Sequence, residues 1–161
     1  MASAFVDVTC SYVPAEVIGA AGFRPRRWLP PPAGAHGGLP RSLCSYARAC
    51  AGTSGAAAVF TTCCDGMRRC YDLRAARGDP VFLLDLPRTA HGGAVIYFAG
   101  ELRRLAAWLA DLGGRPVTPE ALAGARRSEG ERRRRLLSRS PGAARASERY
   151  GLYLETVAAG A

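Results

Sequence analysis

Lysine, asparagine and glutamine are missing altogether from the 161 residues, and histidine occurs only twice, as His36 and His91. With alanine, arginine and glycine abundant, this is the pattern of a GC-rich coding sequence. All 22 basic side chains are therefore arginine, and the net charge of +9 is by itself a weak guide to function. Two histidines exclude a large His/Cys zinc network. No stretch approaches the roughly 18–20 consecutive apolar residues of a membrane span. The N-terminus MASAFVDVTC has no basic segment followed by an apolar run, so no secretory signal is expected. GxGxxG and P-loop patterns are absent, and Gly92-Gly93 alone is too little for a phosphate-binding loop.

What is present is a hydrophobic content of 48%, enough for a buried core, which excludes wholesale disorder. The length predicts one domain, with or without an appendage. Six cysteines stand out: Cys10, Cys44, Cys50, Cys63, Cys64 and Cys70. A cytoplasmic location is expected, where disulfides are rare, so these are read as free thiols.

Along the chain, residues 4–9 are β-rich and predict a strand ending at Cys10. Pro14-Ala15-Glu16 opens an apolar helix over 17–21, which Gly22 ends. Residues 23–29 give a second strand and 30–40 a Pro/Gly loop. Ser42 is placed to cap a helix running to about Cys50. The continuous apolar run 56–62 predicts a strand buried on both faces. Asp65 is placed to cap a helix over 66–76, and 81–86 form another buried strand. From 93 to 112, Val95, Phe98, Leu102, Leu105, Leu109 and Leu112 recur every three or four residues and mark one helix face. Gly113-Gly114 stops that helix, and Thr118-Pro119-Glu120 starts the next. Residues 138–146 read as a break and 149–159 as a short terminal helix. The fold class expected is α/β, a small, largely parallel sheet flanked by helices and followed by a helical C-terminal segment.

In this layout Cys10 and Cys64 follow strand ends and precede helices, and Cys44 lies in the first turn of a helix. Open α/β sheets bind ligands beyond the carboxyl ends of their strands, where helix N-termini also point. Such helix starts favour a thiolate, and Arg48, Arg68 and Arg69 add positive potential. There is no CxxC pair, and a lone cysteine is most often a small buried hydrophobe. That reading is taken for Cys50 and Cys70. Vicinal Cys63 and Cys64 are not expected to point the same way from a strand end, which leaves one of them as a ligand.

The words around the cysteines are more specific. Thr9-Cys10-Ser11-Tyr12-Val13-Pro14-Ala15-Glu16, followed by Ala20-Ala21-Gly22-Phe23-Arg24-Pro25, resembles the opening of the 2-hydroxyacyl-CoA dehydratase and benzoyl-CoA reductase subunit family. So do Leu43-Cys44-Ser45-Tyr46-Ala47-Arg48 and Val59-Phe60-Thr61-Thr62-Cys63-Cys64-Asp65-Gly66-Met67. Leu84-Asp85-Leu86-Pro87-Arg88 and the helix through Tyr97-Phe98 and Glu101-Leu102-Arg103 continue the match in order, over about residues 5–137.

The resemblance implies a [4Fe-4S] cluster held by three cysteines, here Cys10, Cys44 and Cys64, with Cys63 an extra. It implies an iron without a protein sulfur, one-electron activation of an acyl-CoA thioester, and loss of water; reductase relatives reduce an aromatic ring instead. The partners implied are a second dehydratase or reductase subunit and an ATP-dependent iron-sulfur activator protein. Residues 1–112 correspond to the α/β cluster-binding domain and 113–161 to a helical Arg-rich segment. Family subunits carry a further α/β domain after that segment, and activity is not expected from this chain alone; turnover without other dehydratase polypeptides would refute that.

Two other readings stand beside it: a non-catalytic accessory or relic domain of the same fold, and a basic nucleic-acid-binding domain. Ten arginines and five glutamates lie between Arg115 and the end. Glu129 and Glu131 precede Arg132 to Arg135 by three or four residues, the favourable order for helical ion pairs, so a solvated helix face is expected. Only Tyr150 and Tyr153 are aromatic there, so stacking platforms for nucleic acid are scarce. His36 is expected to be exposed in its loop, and His91 to cap a helix or lie on the surface.

Overall fold

The computed structural model describes residues 5–29, 39–139, 147–148 and 151. Most of the 30–40 loop with His36, residues 140–146 of the expected break, and nearly all of the expected terminal helix with Tyr150 and Tyr153 lie outside the described residues. The element order is β1 (Phe5–Val8), α1 (Ala15–Ala20), β2 (Arg24–Arg27), α2 (Ser45–Gly52), β3 (Ala58–Thr61), α3 (Asp65–Ala76), β4 (Val81–Leu84), α4 (Gly92–Asp111) and α5 (Pro119–Arg139). The four strands form one sheet in the order β2-β1-β3-β4, and every pairing is parallel. This is the α/β architecture expected, with Ser138 and Arg139 continuing α5 where a break was read.

The sheet is sandwiched because successive residues of a strand face opposite sides. On one side Val6, Val8, Val59, Phe82 and Leu84 pack against Val17 and Ile18 of α1 and Leu105 and Leu109 of α4. On the other, Ala58 and Phe60 meet Ala47, Cys50 and Ala51 of α2 and Met67 and Cys70 of α3. All four residues of β3 are buried, as an apolar run covered on both faces should be. β2 lies at an edge, where Pro25 removes one strand donor without breaking an interior ladder.

The face predicted on α4 is buried only in part. Leu105 and Leu109 are buried, whereas Val95 is 73% exposed. The cause is length: a 20-residue helix spans about 30 Å, but a four-residue strand only about 13 Å. The first turns of α4 therefore overhang the carboxyl edge of the sheet, leaving Val95 and Ile96 in solvent.

The end of α4 is fixed by its glycine pair. Gly113 adopts φ +92°, its amide donates to the Ala110 carbonyl, and the Gly114 amide donates to Leu109, the two bonds of a Schellman cap. A Cβ on Gly114 would lie 2.6 Å from the Phe23 ring, 2.7 Å from the Leu109 carbonyl oxygen and 3.0 Å from that of Ala21. Two of those neighbours are backbone, and the adjacent Arg115 amide donates to the same Ala21 carbonyl at 2.8 Å. Gly114→Ala is therefore expected to lower stability by about 1–3 kcal/mol, the usual cost of overpacking; urea denaturation showing no loss would contradict this joint.

α5 begins as its sequence implies, with the Thr118 hydroxyl accepting from the Ala121 amide at 3.2 Å. It lies along α1, where Gly19 leaves room for Ala125. Three of its arginines are paired: Arg132 with Glu129 at 2.7 Å, Arg133 with Glu16 of α1 at 3.1 Å, and Arg135 with Glu131 at 4.0 Å. Such pairs contribute about 0.2–1 kcal/mol each, so packing rather than charge sets the position of α5.

Candidate functional site

The strand order reverses between β1 and β3: the chain moves outward to β2, then crosses back over β1 to β3. At such a reversal the connections diverge and leave a crevice beyond the carboxyl ends. Cys10 lies just beyond β1, and Cys63 and Cys64 just beyond β3, so the reversal brings together two loops that are far apart in sequence. Thr9 fastens them, its hydroxyl donating to the Val59 carbonyl at 3.1 Å.

α2 joins from the side. The Tyr46 hydroxyl lies 2.9 Å from the Thr9 carbonyl oxygen and 3.1 Å from that of Trp28, tying the first turn of α2 to the ends of β1 and β2. Burial raises the Tyr46 phenol well above its ordinary value, so it remains a donor. The cap of α2 is Cys44, not Ser42: Leu43 closes a turn onto the Pro40 carbonyl, and the Cys44 sulfur accepts the Ala47 amide at 3.4 Å. The cap of α3 is likewise Cys64, extended at φ −155°, and Asp65 becomes the first helical residue. There its carboxylate still faces the positive helix end. Gly66 lets the two helix starts approach, since a Cβ there would sit 3.2 Å from the Ala47 Cβ and 3.7 Å from both Leu43 and the Cys64 sulfur. That approach draws Cys44 and Cys64 toward one another.

Cys63 lies beside Cys64 rather than facing away from it. β3 ends at Thr61 and the chain turns through Thr62 and Cys63, so Cys63 and Cys64 line the same cavity, of about 840 Å³, with Tyr12, Asp65, Arg88 and Phe98. A strand end would have separated their side chains; the turn does not. Cys63 also meets Cys10. Burial raises the Cys63 thiol, the Cys10 and Cys64 sulfurs push it the same way, and the Thr61 hydroxyl opposes them. Thr61 itself is fully buried, yet its hydroxyl oxygen makes no hydrogen bond of good geometry. Left unsatisfied, a buried hydroxyl costs about 1–3 kcal/mol, and the Cys63 thiol is the polar neighbour it lies against.

Cys50 and Cys70 are buried between α2, α3 and the sheet, as hydrophobic packing predicts. Burial, reinforced by Cys70, pushes Cys50 up to about 12. Burial, then Cys44 and Cys64, pushes Cys70 up to about 11. Both remain neutral thiols at physiological pH, and the Cys70 thiol donates to the Ala47 carbonyl. By contrast Cys44, Cys63 and Cys64 are exposed and Cys10 half-buried.

Among the described residues no three His, Cys, Asp or Glu side chains form a group that would hold a single metal ion. A four-iron cube makes a different demand. Each thiolate binds its own corner iron, so the ligands ring a cavity instead of converging on a point. Accessible thiols at the carboxyl edge suit such a group in donor chemistry, and of these Cys63 and Cys64 line the cavity described above.

Beside the thiols lies a polar network that sequence reasoning missed. Asp85, just past β4, accepts from the Thr62 and Tyr97 hydroxyls, and Thr62 in turn accepts the Leu86 amide at 2.9 Å. The Thr62 hydrogen bond, then that of Tyr97, holds the Asp85 carboxyl below its usual range. Buried Glu101 accepts the Asp85 amide at 3.1 Å and Arg104 at 2.6 Å. The signals available were a carboxylate directly after an apolar strand, in Leu83-Leu84-Asp85, and the presence of Asp85, Tyr97 and Glu101 in the words that carry the resemblance. Of the arginines expected nearby, Arg68 lines a second cavity with Asp85, Arg88, His91 and Tyr97. Arg69 instead turns to Asp72 on the surface, and the Arg48 Nε is buried without a partner. His91 caps α4 by its backbone position only.

Among the described residues no helix is long and apolar enough to cross a membrane. Among known families, the one described as 2-hydroxyglutaryl-CoA dehydratase, D-component, matches residues 10–146. No curated protein matches the chain.

Proposed function

The chain belongs to the 2-hydroxyglutaryl-CoA dehydratase D-component family, which makes it a component of a 2-hydroxyacyl-CoA dehydratase-type enzyme, and on that premise we propose that it is the iron-sulfur component. Cys10, Cys44 and Cys64 would hold a [4Fe-4S] cluster at the β1/β3 crevice. The observation that carries this reading is the separation of the six thiols into two classes. Cys50 and Cys70 are core, held neutral, while those at the carboxyl edge are open to solvent.

When bound, the cluster supplies one-electron chemistry toward an acyl-CoA thioester, whose net outcome in this enzyme class is loss of water. The chain's own residues prepare the place for it. Cys44 and Cys64 sit at two helix starts, where backbone amides favour negative sulfur. Tyr46 fixes the first of these helices to the sheet. Thr62 and Tyr97 keep Asp85 ionised beside Arg68, which orders the neighbouring cavity. In this reading residues 1–112 are the cluster-binding part and 113–161 a helical segment. The partners are a second dehydratase or reductase subunit and an ATP-dependent iron-sulfur activator protein.

Anaerobic reconstitution with iron and sulfide tests the proposal. The full chain is expected to turn brown and retain about four irons. A colourless, iron-free protein after reconstitution would sink it, and steeply salt-dependent DNA binding by that protein would point to a nucleic-acid role.

A further inference from the structure

We propose that the loop 87–91 and the first turns of α4 form a binding site for an apolar acyl group, branched alkyl or aromatic, whose carbonyl end is held at Arg88. The inference rests on the acyl-CoA reading above and narrows it, by assigning the chain a class of acyl group.

Three observations carry it. First, a cavity of about 650 Å³ lies between the loop and the overhanging part of α4, walled on the helix side by Val95, Phe98, Ala99 and Leu102. Its volume falls within the roughly 300–1,000 Å³ of small-molecule sites. Those four side chains offer neither charge nor hydrogen bond. An apolar group is accommodated among them without loss, whereas a carboxylate would shed water and gain no partner. Second, charge is gathered at one end. A cavity of about 510 Å³ shares Arg88, His91 and Ala94 with the first and adds Arg68, Asp85 and Tyr97. None of the ion pairs among the described residues uses Arg68 or Arg88. Asp85 is the one carboxylate lining that cavity, and it already accepts from the Thr62 and Tyr97 hydroxyls. Two guanidinium groups therefore stand against one carboxylate, and the surplus donors suit a carbonyl or carboxylate oxygen. Third, Pro87, Arg88 and Phe98 also line the cavity that holds Cys63 and Cys64. An acyl group lying along Phe98 thus has its carbonyl end where the apolar, charged and thiol-lined spaces meet.

The closeness of Arg88 to the apolar wall decides which oxygen it meets. In an acyl-CoA the phosphates are separated from the acyl group by the whole pantetheine arm. Arg88 borders the apolar cavity itself, so it faces the acyl carbonyl and not the phosphates. A dicarboxylic acyl group in this orientation would bring its second carboxylate among Val95, Phe98 and Leu102, where nothing compensates it.

Isothermal titration calorimetry of the iron-free full chain with 4-methylpentanoyl-CoA, glutaryl-CoA, CoA and free 4-methylpentanoate tests the assignment. The branched acyl-CoA is expected to bind at least about tenfold more tightly than CoA or glutaryl-CoA, the lower bound for burying a branched alkyl group. Val95→Asp is expected to abolish that preference. Ile96→Asp is expected to preserve it, because Ile96 is just as exposed but does not line the cavity. Arg88→Ala is expected to weaken the branched acyl-CoA about threefold or more, as loss of a hydrogen bond does. Free 4-methylpentanoate binding as tightly as the thioester would assign the groove to apolar carboxylic acids themselves; weaker binding assigns it to the thioester. Equal affinity for the branched and the dicarboxylic acyl-CoA, no binding of either, or a preference that survives Val95→Asp would each overturn the proposal. Undiminished binding by Arg88→Ala would overturn the placement of the carbonyl end. Iron uptake is measured separately, so a chain that takes up iron but shows no acyl preference keeps the cluster reading and loses this one, and the converse holds equally.

Discussion

A Cys44→Ser/Cys64→Ser double variant binds iron at least about 100-fold more weakly than the unsubstituted chain, and a Cys50→Ala/Cys70→Ser variant binds it normally. The magnitude is a lower bound. Altering groups that merely orient metal ligands already costs about 10–100-fold, and here two sulfurs are removed. The contrast between the pairs follows from their surroundings. Cys44 and Cys64 are exposed helix caps. Cys50 and Cys70 lie in the core, and burial holds them neutral. Serine at 70 can still donate to the Ala47 carbonyl as the thiol does, and alanine at 50 leaves only a small void. Iron and sulfide content after anaerobic reconstitution, with far-UV circular dichroism to confirm folding, decides the matter. Equal iron in both double variants would remove Cys44 and Cys64 from the site.

Asp79→Asn is expected to cost about 3 kcal/mol of stability, or roughly 6–12 °C in Tm at this chain length. The reason is Arg74, only 2% exposed although it lies in a helix whose other arginines reach solvent. Its guanidinium donates to Asp79 at 2.8 Å and to the Ala56 carbonyl at 2.6 Å, and it lies over the Phe60 ring. Asp79 also accepts the Gly55 amide at 2.8 Å. The asparagine removes the compensating charge and leaves a cation in the core. The low end of the range for a broken buried pair applies, because Asp79 belongs to a surface turn. The companion Arg74→Met/Asp79→Leu variant should lose less, since it leaves no unpaired charge.

The same pair sets an acid dependence. Burial raises the Asp79 carboxyl, but the Gly55 amide and the Arg74 guanidinium outweigh it, and the folded-state value lies below the ordinary one. A depressed carboxyl contributes stability that is complete above the unfolded value, near pH 4, and disappears as pH falls through the folded value. The unsubstituted chain should therefore exceed Asp79→Asn in urea midpoint at pH 7, and the gap should narrow below about pH 4. A gap that stays constant into acid would assign the loss to packing rather than to charge.

Much of the fold was legible because its signals are local. The run ending at Thr61 is apolar throughout and became the strand buried on both faces. The glycines at 22, 78 and 113 each end a helix, since the left-handed turn that closes a helix suits glycine wherever the rest of the chain lies. Thr118 capped its helix for the same reason. The misjudged features depend on residues far off in sequence. Cysteine is not a preferred cap, so Ser42 and Asp65 looked better than Cys44 and Cys64 until Tyr46 and Gly66 are seen to place the helix starts. The turn that sets Cys63 beside Cys64 is anchored by Thr62 to Asp85 and Leu86, more than twenty residues downstream. Arg74 reads as one more solvated arginine on a polar helix until Asp79 folds back across the end of that helix.

β2 has a consequence for how the molecule keeps to itself. An outer strand with unpaired amides invites another chain to add on and extend the sheet. On β2 the incoming strand would meet Arg24, Arg26 and Arg27 within four residues, and at Pro25 a position with no donor to offer. A second copy would bring the same arginines against them, although Arg26 is already paired with Asp7 at 2.7 Å. Side-by-side growth of the sheet at this margin is thereby opposed by repulsion and by a gap in the hydrogen-bond ladder, which protects the folded chain from aggregating through that edge.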